Sequence, residues 1–350
     1  MSAIRAAALP WLGRVPGVAI VLIALIVVFS LAGARFLTPA NIANILVQST
    51  VLILLALPMT LIIMTEGLDL SMGAVLTLAS IALAMTVVAT GSPLLGLVAG
   101  LDLSVGANIG LSACLAASVM TTTGSSSLGV LTGIGCGALV GLANGALVAW
   151  LRIPSFIATY GMMWMLTGVT YYYMGGETIH GFPLSFRQFG SGYLLGIPIP
   201  VYVMMFFLAL GTLFAQRTVW GQQIYALGAN AEAARLSGVP IERRLLLVYA
   251  FSGAMAGLAS LIILARINSA QGDIGEDLTL PAIAAALIGG TSLFGGSGTV
   301  SGTLIGALIL TLVVNGMNLL QISAAWQPLA TGLIVLDAVG NDIQTRRNAQ

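Results

Sequence analysis

The feature that most constrains this chain is a succession of apolar runs, each close to the 20 residues that a helix needs to cross the hydrocarbon core of a bilayer. Eleven follow one another, at 16–34, 44–66, 72–90, 105–123, 128–151, 155–175, 198–216, 245–265, 279–294, 298–318 and 324–340. Lipid offers the backbone no hydrogen-bond partners, so runs of this length are predicted to be helices. The expected fold class is therefore all-α: a polytopic transmembrane helical bundle, one domain over residues 1–350. Composition closes off the alternatives. Only 7% of residues are charged and 58% are hydrophobic, against about 25% charged in globular chains, which leaves no room for a sizeable soluble domain.

The polar inventory excludes whole classes of function. All twelve basic residues are Arg, scattered singly or in pairs, and the net charge is +1, so there is no nucleic-acid stripe. With no Lys anywhere, a phosphate-gripping G-x-x-x-x-G-K-[ST] loop cannot be present. His180 is the one histidine. Cys114 and Cys136 lie in small-residue apolar runs with no ligand cluster around them, where a free Cys acts as a small hydrophobe. No catalytic residue, metal site or bound cofactor is expected. The 43 glycines point instead to closely approaching helices.

Arginine placement orients the spans, because loops rich in Arg stay on the cytoplasmic side. Arg217, Arg235, Arg243 and Arg244 share the polar loop 217–244, which is predicted to be cytoplasmic. Counting back puts Arg152 inside and the 176–197 loop, with Glu177, His180 and Arg187, outside. Counting forward puts Arg266, Asp273, Glu276 and Asp277 outside, then returns Arg346 and Arg347 to the cytoplasm. Arg5 and Arg14 favour a cytoplasmic N-terminus. The rival reading of the first run is a signal peptide cleaved near 32–34, but that run is long and many spans follow it. One parity fails: between an outside Arg35 and an inside Arg152 the crossings must be odd in number, yet four apolar runs lie there.

A repeat accounts for the surplus. Gly67-Leu68-Asp69-Leu70-Ser71-Met72-Gly73-Ala74 recurs 33 residues later as Gly100-Leu101-Asp102-Leu103-Ser104-Val105-Gly106-Ala107, and Thr90-Gly91-Ser92 as Thr123-Gly124-Ser125. Residues 67–99 and 100–132 are tandem copies of one unit, too few for a solenoid. In each, a glycine ends one helix and an Asp-Leu-Ser turn starts the next. Asp69 and Asp102 are read first as helix caps; as acids at membrane depth they are also candidates for a functional role.

At this point the chain resembles a known family, the permeases of ribose-type carbohydrate ABC importers. Phe36-Leu37-Thr38-Pro39-Ala40-Asn41-Ile42 is similar to the family's stretch before its second helix, and Glu66-Gly67-Leu68-Asp69-Leu70-Ser71 to its Asp-Leu-Ser signature. Gly228-Ala229-Asn230-Ala231-Glu232-Ala233-Ala234-Arg235-Leu236-Ser237-Gly238 and Ile288-Gly289-Gly290-Thr291-Ser292-Leu293-Phe294-Gly295-Gly296 resemble its two most recognisable segments. The family carries one Asp-Leu-Ser unit, so one copy is an insertion here. Removing either restores about ten spans with both termini cytoplasmic. Asp337, in an otherwise apolar last run, is a second departure. The resemblance implies a bacterial inner-membrane importer: two permease chains form the pathway, a periplasmic binding protein delivers sugar, and two cytoplasmic ATPase subunits carry the ATP and Mg.

The residues themselves support parts of this. Ala229–Leu236 is a good helix former inside the 217–244 loop, suited to docking on a partner; Asn230, Glu232, Ala233, Ala234, Arg235 and Gly238 are its expected coupling residues. A sugar pathway needs hydroxyls and amides in an otherwise apolar bundle. Its candidates are Asp69, Ser71, Asp102, Ser104, Asn144, Asn315 and Asn318, with Gly289 and Gly290 marking a broken helix or tight turn. Tyr171, Tyr172 and Tyr173 read as an interfacial belt, or alternatively as a sugar-stacking gate. The rival class is an ion-coupled secondary transporter of a small polar solute, which would need more embedded ionisable groups than Asp69, Asp102 and Asp337. The third class, a membrane enzyme, is disfavoured by the poor inventory of acids, bases and nucleophiles.

Overall fold

The computed structural model describes residues 17–33, 35–65, 101–293 and 295–334. The first copy of the repeat, 67–99, lies outside the described residues, with Asp69 and Ser71; so do Arg5, Arg14, Asp337, Arg346 and Arg347, and the last run is described only as far as 334. Through the rest the fold is all-α. Helix α1 (Gly17–Ala32) precedes α2 (Pro39–Thr65), α3 (Val105–Thr123), α4 (Ser126–Ala149) and α5 (Ser155–Met174). Strand β1 (Ile179–His180), α6 (Leu184–Ser191) and a hairpin of β2 (Tyr193–Leu194) with β3 (Ile197–Pro198) lead into α7 (Ile199–Arg217). Then come the short helices α8 (Val219–Ala229) and α9 (Ala231–Leu236), the long α10 (Ile241–Ile267), and β4 (Ser269–Ala270). Two more, α11 (Thr279–Ile288) and α12 (Val300–Leu319), complete the described helices used below.

Among the described residues, α2, α3, α4, α7, α10 and α12 are long and apolar enough to cross a membrane. Their ends follow from local chemistry. Ser125, Thr218, Asn230 and Thr299 cap α4, α8, α9 and α12 by accepting from a backbone N–H three residues on, which satisfies one of the amides a helix start leaves open. Gly124 and Gly175 close α3 and α5 in the left-handed region, at φ +69° and +58°.

Helix α2 carries Asn41, Asn44 and Gln48 near its start, then stands at the centre of the bundle as an almost wholly apolar helix, buried without a break from Val51 to Thr65. Around it pack α7, α10, α11 and α12. The tightest seam joins α4 to α10. Gly133, Gly137, Gly141 and Gly145, four apart on α4, meet Leu261, Gly253, Tyr249 and Leu246 of antiparallel α10. A Cβ on Gly137 would strike the Gly253 carbonyl oxygen, and one on Gly253 the Gly137 oxygen. This is small-residue packing, in which backbone contact replaces side-chain interdigitation.

Two ends of the bundle can be told apart. One, the loop end, carries residues 217–244, the C-termini of α2, α4 and α7, and the N-termini of α5, α10 and α12. At the other, β1 pairs antiparallel with β4, His180 opposite Ser269.

The run at 279–294, predicted as a full span, is a correction. Its helix α11 has ten residues, about 15 Å, and stops at Gly289–Gly290, where Gly290 sits at φ +85°. The other half of this crossing is irregular chain. After Asn268, at φ +54°, the segment 271–278 descends beside α3. Gln271 O accepts from Cys114 Sγ at 3.5 Å, and Gly106 N donates to Thr279 Oγ1 at 3.0 Å. From Cys114 to Gly106 is about 12 Å of helix. Asp273, Glu276 and Asp277, predicted in an outer loop, ride on this descending half. Hydropathy detects only the apolar half at 279–294; residues 271–278, with Asp273, Glu276 and Asp277 among eight, read as a polar loop.

Candidate functional site

The site is built from that broken span and from the helix starts around it. At the start of α3, whose leading amides have no intrahelical acceptor, side chains from other elements supply the partners. Thr159 of α5 accepts from Leu103 N at 3.1 Å and donates to Leu101 O at 3.0 Å, and Thr279 of α11 accepts from Gly106 N. Asp102 turns back on its own loop: Oδ1 accepts from Ser104 N at 3.1 Å and from Ser104 Oγ at 2.7 Å. Its Oδ2 accepts from Ser252 Oγ of α10 at 3.2 Å, while Asn144 Nδ2 of α4 donates to Ser104 Oγ at 2.7 Å. Asp102, Ser104 and Asn144 are 2%, 1% and 0% exposed. They form a closed knot that holds the α3 start to the α4–α10 seam.

The descending half of the broken span is different, because its acids face away from the core. Asp273, Glu276 and Asp277 are all exposed. Yet a Cβ on Gly106, near the start of α3, would lie 3.3 Å from Glu276 Cα. That is about 25 Å of helix from the far end of α3, well inside the thickness of a bilayer core. Tyr171 Oη donates to Glu276 Oε1 at 3.5 Å. A carboxylate facing lipid at that depth costs about 2.5–3.5 kcal/mol, and irregular backbone there is tolerated only against protein or water. The surface these three acids occupy is therefore a polar face at membrane depth, rich in hydrogen-bond acceptors, that none of the described residues covers.

At the loop end the broken span is bolted to the helix that precedes α9. Gly296 N, in the turn between α11 and α12, donates to Met64 O at 3.1 Å, and Tyr225 Oη of α8 donates to Gly298 O at 2.9 Å. Gly228 sits so close to the end of α2 that a Cβ would strike Met64 O. Beyond it, Asn230 Oδ1 accepts from Ala233 N at 2.9 Å and starts α9. Glu232 in its first turn and Arg235 in its last complement the helix dipole; Arg235 pairs with Glu242 at 3.6 Å rather than with Glu232. Ala234 faces inward, whereas Glu232, Ala233, Arg235 and Leu236 face out, Leu236 at 81% exposure. Gly238, at φ +82°, turns the chain back toward α10.

The remaining candidates fall elsewhere. Asn315 exchanges side-chain amide hydrogen bonds with Asn41, both at 3.0 Å, tying α12 to α2. Asn318 Oδ1 accepts from Gln327 Nε2 at 2.8 Å. Gly289 packs on Gly302 at the α11–α12 crossing. Sequence reasoning passed over Thr159, Ser252, Thr279 and Tyr225, since a single Ser, Thr or Tyr in an apolar run carries no spacing that identifies its partner. Asp273, Glu276 and Asp277 are conspicuous in the sequence, but their polarity predicts an outer loop.

Comparison with known proteins gives a consistent result. Residues 94–339 match the family model described as branched-chain amino acid transport system / permease component. The chain is 38% identical to the ribose import permease protein of Escherichia coli (strain K12), over 91% of this chain and 91% of the relative. It is 35% identical to the ribose import permease protein of Bacillus subtilis (strain 168), over 90% and 88%. It is 31% identical to the fructose import permease protein of Rhizobium meliloti, over 94% and 85%. No solved structure matches.

Proposed function

Because this chain belongs to the branched-chain amino acid transport system / permease component family, we propose that it is the membrane-spanning subunit of an ATP-driven sugar importer. It moves a sugar or sugar-like solute across the bacterial inner membrane by alternating access. Two permease chains enclose the pathway, two cytoplasmic ATPase subunits dock at the loop end, and a periplasmic binding protein delivers solute at the opposite end. The names of the relatives, import permeases for ribose and fructose, support a sugar.

The observation that carries the reading is the broken span: an uncovered acidic face at membrane depth, continuous through the 289–299 turn with the loop-end helices α8 and α9. Carboxylates and a tyrosine accept and donate to sugar hydroxyls, so Asp273, Glu276, Asp277 and Tyr171 line the pathway. Asp102, Ser104 and Asn144 support it from behind by fixing the start of α3. Asn230, Glu232, Ala233, Arg235 and Leu236 receive the ATPase stroke, and Tyr225, Gly228 and Met64 pass it to the broken span.

The arginine count asks for ten crossings with both termini cytoplasmic. The described ends of the duplicated region agree with that parity, because Thr65 and Leu101 lie toward the same end of the bundle. Met64 packs with Val148 and Val248, and Asp102 reaches Asn144 and Ser252 about one turn deeper on the same two helices.

The test is uptake of labelled ribose and fructose into proteoliposomes holding the permease with its ATPase subunits, the binding protein being supplied at the opposite face. Uptake should require hydrolysable ATP. Uptake that persists without ATPase subunits and collapses with an ion gradient would instead establish a secondary transporter.

A further inference from the structure

The hairpin between α6 and α7 has a tip that is costly in water. Its strands pair Tyr193 with Pro198 and Leu194 with Ile197, so the turn is the two residues Leu195 and Gly196, both at positive φ, +50° and +79°. Turns of this kind are normally Asn-Gly or Asp-Gly, and an ordinary side chain in the left-handed region is uncommon. Here the position holds Leu, 91% exposed, beside Tyr193 at 62% and Leu194 at 55%. An unfavourable backbone conformation thus displays an apolar patch that none of the described residues covers.

The hairpin's height in the bundle says what covers it. Tyr202 Oη, in the first turn of α7, donates to Leu194 O at 2.9 Å, and Ile199 N donates to Gly192 O at 2.9 Å, so the hairpin cannot swing away from the α7 start. Lower on α7, Met204 Sδ lies 3.8 Å from Thr50 Oγ1, and β3 packs against α2. Six residues separate Pro198 from Met204, about 9 Å of helix, which sets the hairpin beside α2 near Asn44. At that level Asn41, Asn44 and Gln48 are clustered on α2, and Arg266 donates to Asn44 Oδ1. A stripe of amides near the start of α2, met by an arginine at the end of α10, marks the headgroup region, where long cationic side chains reach out of the hydrocarbon.

We propose that the hairpin tip Tyr193–Leu194–Leu195 inserts into the headgroup–acyl boundary of the bilayer at the end of the bundle opposite the 217–244 loop. There it anchors the start of α7. The occupant is lipid, because the patch sits at the start of α7, which itself exposes the apolar Met205, Phe206, Leu210 and Leu213, is apolar apart from one interfacial Tyr, and carries no charge for a protein partner to read.

The test uses the full chain in phosphatidylethanolamine and phosphatidylglycerol vesicles with no other protein present. Leu195→Cys carries a nitroxide label in a Cys114→Ala, Cys136→Ala background, and Ser191→Cys on exposed α6 serves as the aqueous reference. At 195 collisions with oxygen should exceed those with a water-soluble nickel chelate several-fold, with the order reversed at 191. Nickel access at 195 equal to that at 191 would overturn the proposal and leave the patch to a soluble partner. A label at Leu194→Cys gives the same reading without altering the turn, so a folding defect at 195 does not leave the question open.

Discussion

At the residue scale the decisive group is Asp102. Its carboxylate accepts from the Ser104 backbone amide, the Asn144 side-chain amide and two hydroxyls, inside a bundle that supplies no cation near it among the described contacts. Removing one member of such a knot strands the others, and a buried polar group left unpaired costs about 1–3 kcal/mol. Asp102→Leu is therefore expected to destabilise the detergent-solubilised protein by at least the upper part of that range, and Ser252→Ala by about 1 kcal/mol, read as shifts in thermal unfolding. Equal effects from the two would mean that the carboxylate is not the hub. The helix start was legible in the sequence, because an Asp-x-Ser before an apolar run is a start signal, but Asp102 does not cap α3: it accepts from Ser104 N within its own turn, and Ser104 at the N-cap makes no side-chain cap bond. Its distant partners were not, since Asn144 and Ser252 lie 42 and 150 residues away along the chain.

At the element scale the α4–α10 seam gives the sharpest contrast. Gly137 faces α10 backbone, while Gly135, on the same helix, has open space where a Cβ would go. Gly137→Ala should push the helices apart and cost about 1–3 kcal/mol. Gly135→Ala should be neutral or stabilising by up to about 1 kcal/mol. Comparable losses at both sites would show that the seam is not packed backbone to backbone. Helix α9 makes a different prediction. Arg235→Glu removes the pairing with Glu242 and reverses a charge on the exposed face, so ATPase stimulation by loaded binding protein should fall at least several-fold while membrane insertion is unchanged. Normal coupling in that variant would remove α9 from the docking surface. The Ala-rich run made a helix over 229–236 legible, but not the break at Asn230 that ends α8 and caps α9; which of its residues face outward depends on α8 and α10, which only folding brings beneath it.

At the scale of the whole molecule, two predictions concern the path of the chain. Glu276→Gln retains size and hydrogen bonding but removes charge from the uncovered face, and should alter the apparent affinity for sugar in uptake assays without changing thermal stability. A loss of stability with unchanged uptake would make Glu276 a structural residue. Deleting 67–99 leaves a single Asp-Leu-Ser unit between α2 and α3. Since Thr65 and Leu101 already lie toward one end of the bundle, the deletion variant should insert, assemble and import like the parent chain. Failure to insert would show that both copies are needed.

By itself the sequence determined that this protein is a membrane bundle, where most helices begin and end, and that a loop rich in Arg lies at one face. Those properties follow from the local free energy of placing side chains and backbone in lipid, and local free energy can be read from consecutive residues. Only the tertiary structure decided that the crossing after α10 is half helix and half irregular chain, that Asp273, Glu276 and Asp277 therefore lie at membrane depth, and that Asp102 is enclosed by α4 and α10. A non-helical crossing is possible only where neighbouring helices shelter its backbone. Glycines at 106 and 110 on α3 make that shelter, and their effect exists only once α3 and the 271–278 segment lie side by side.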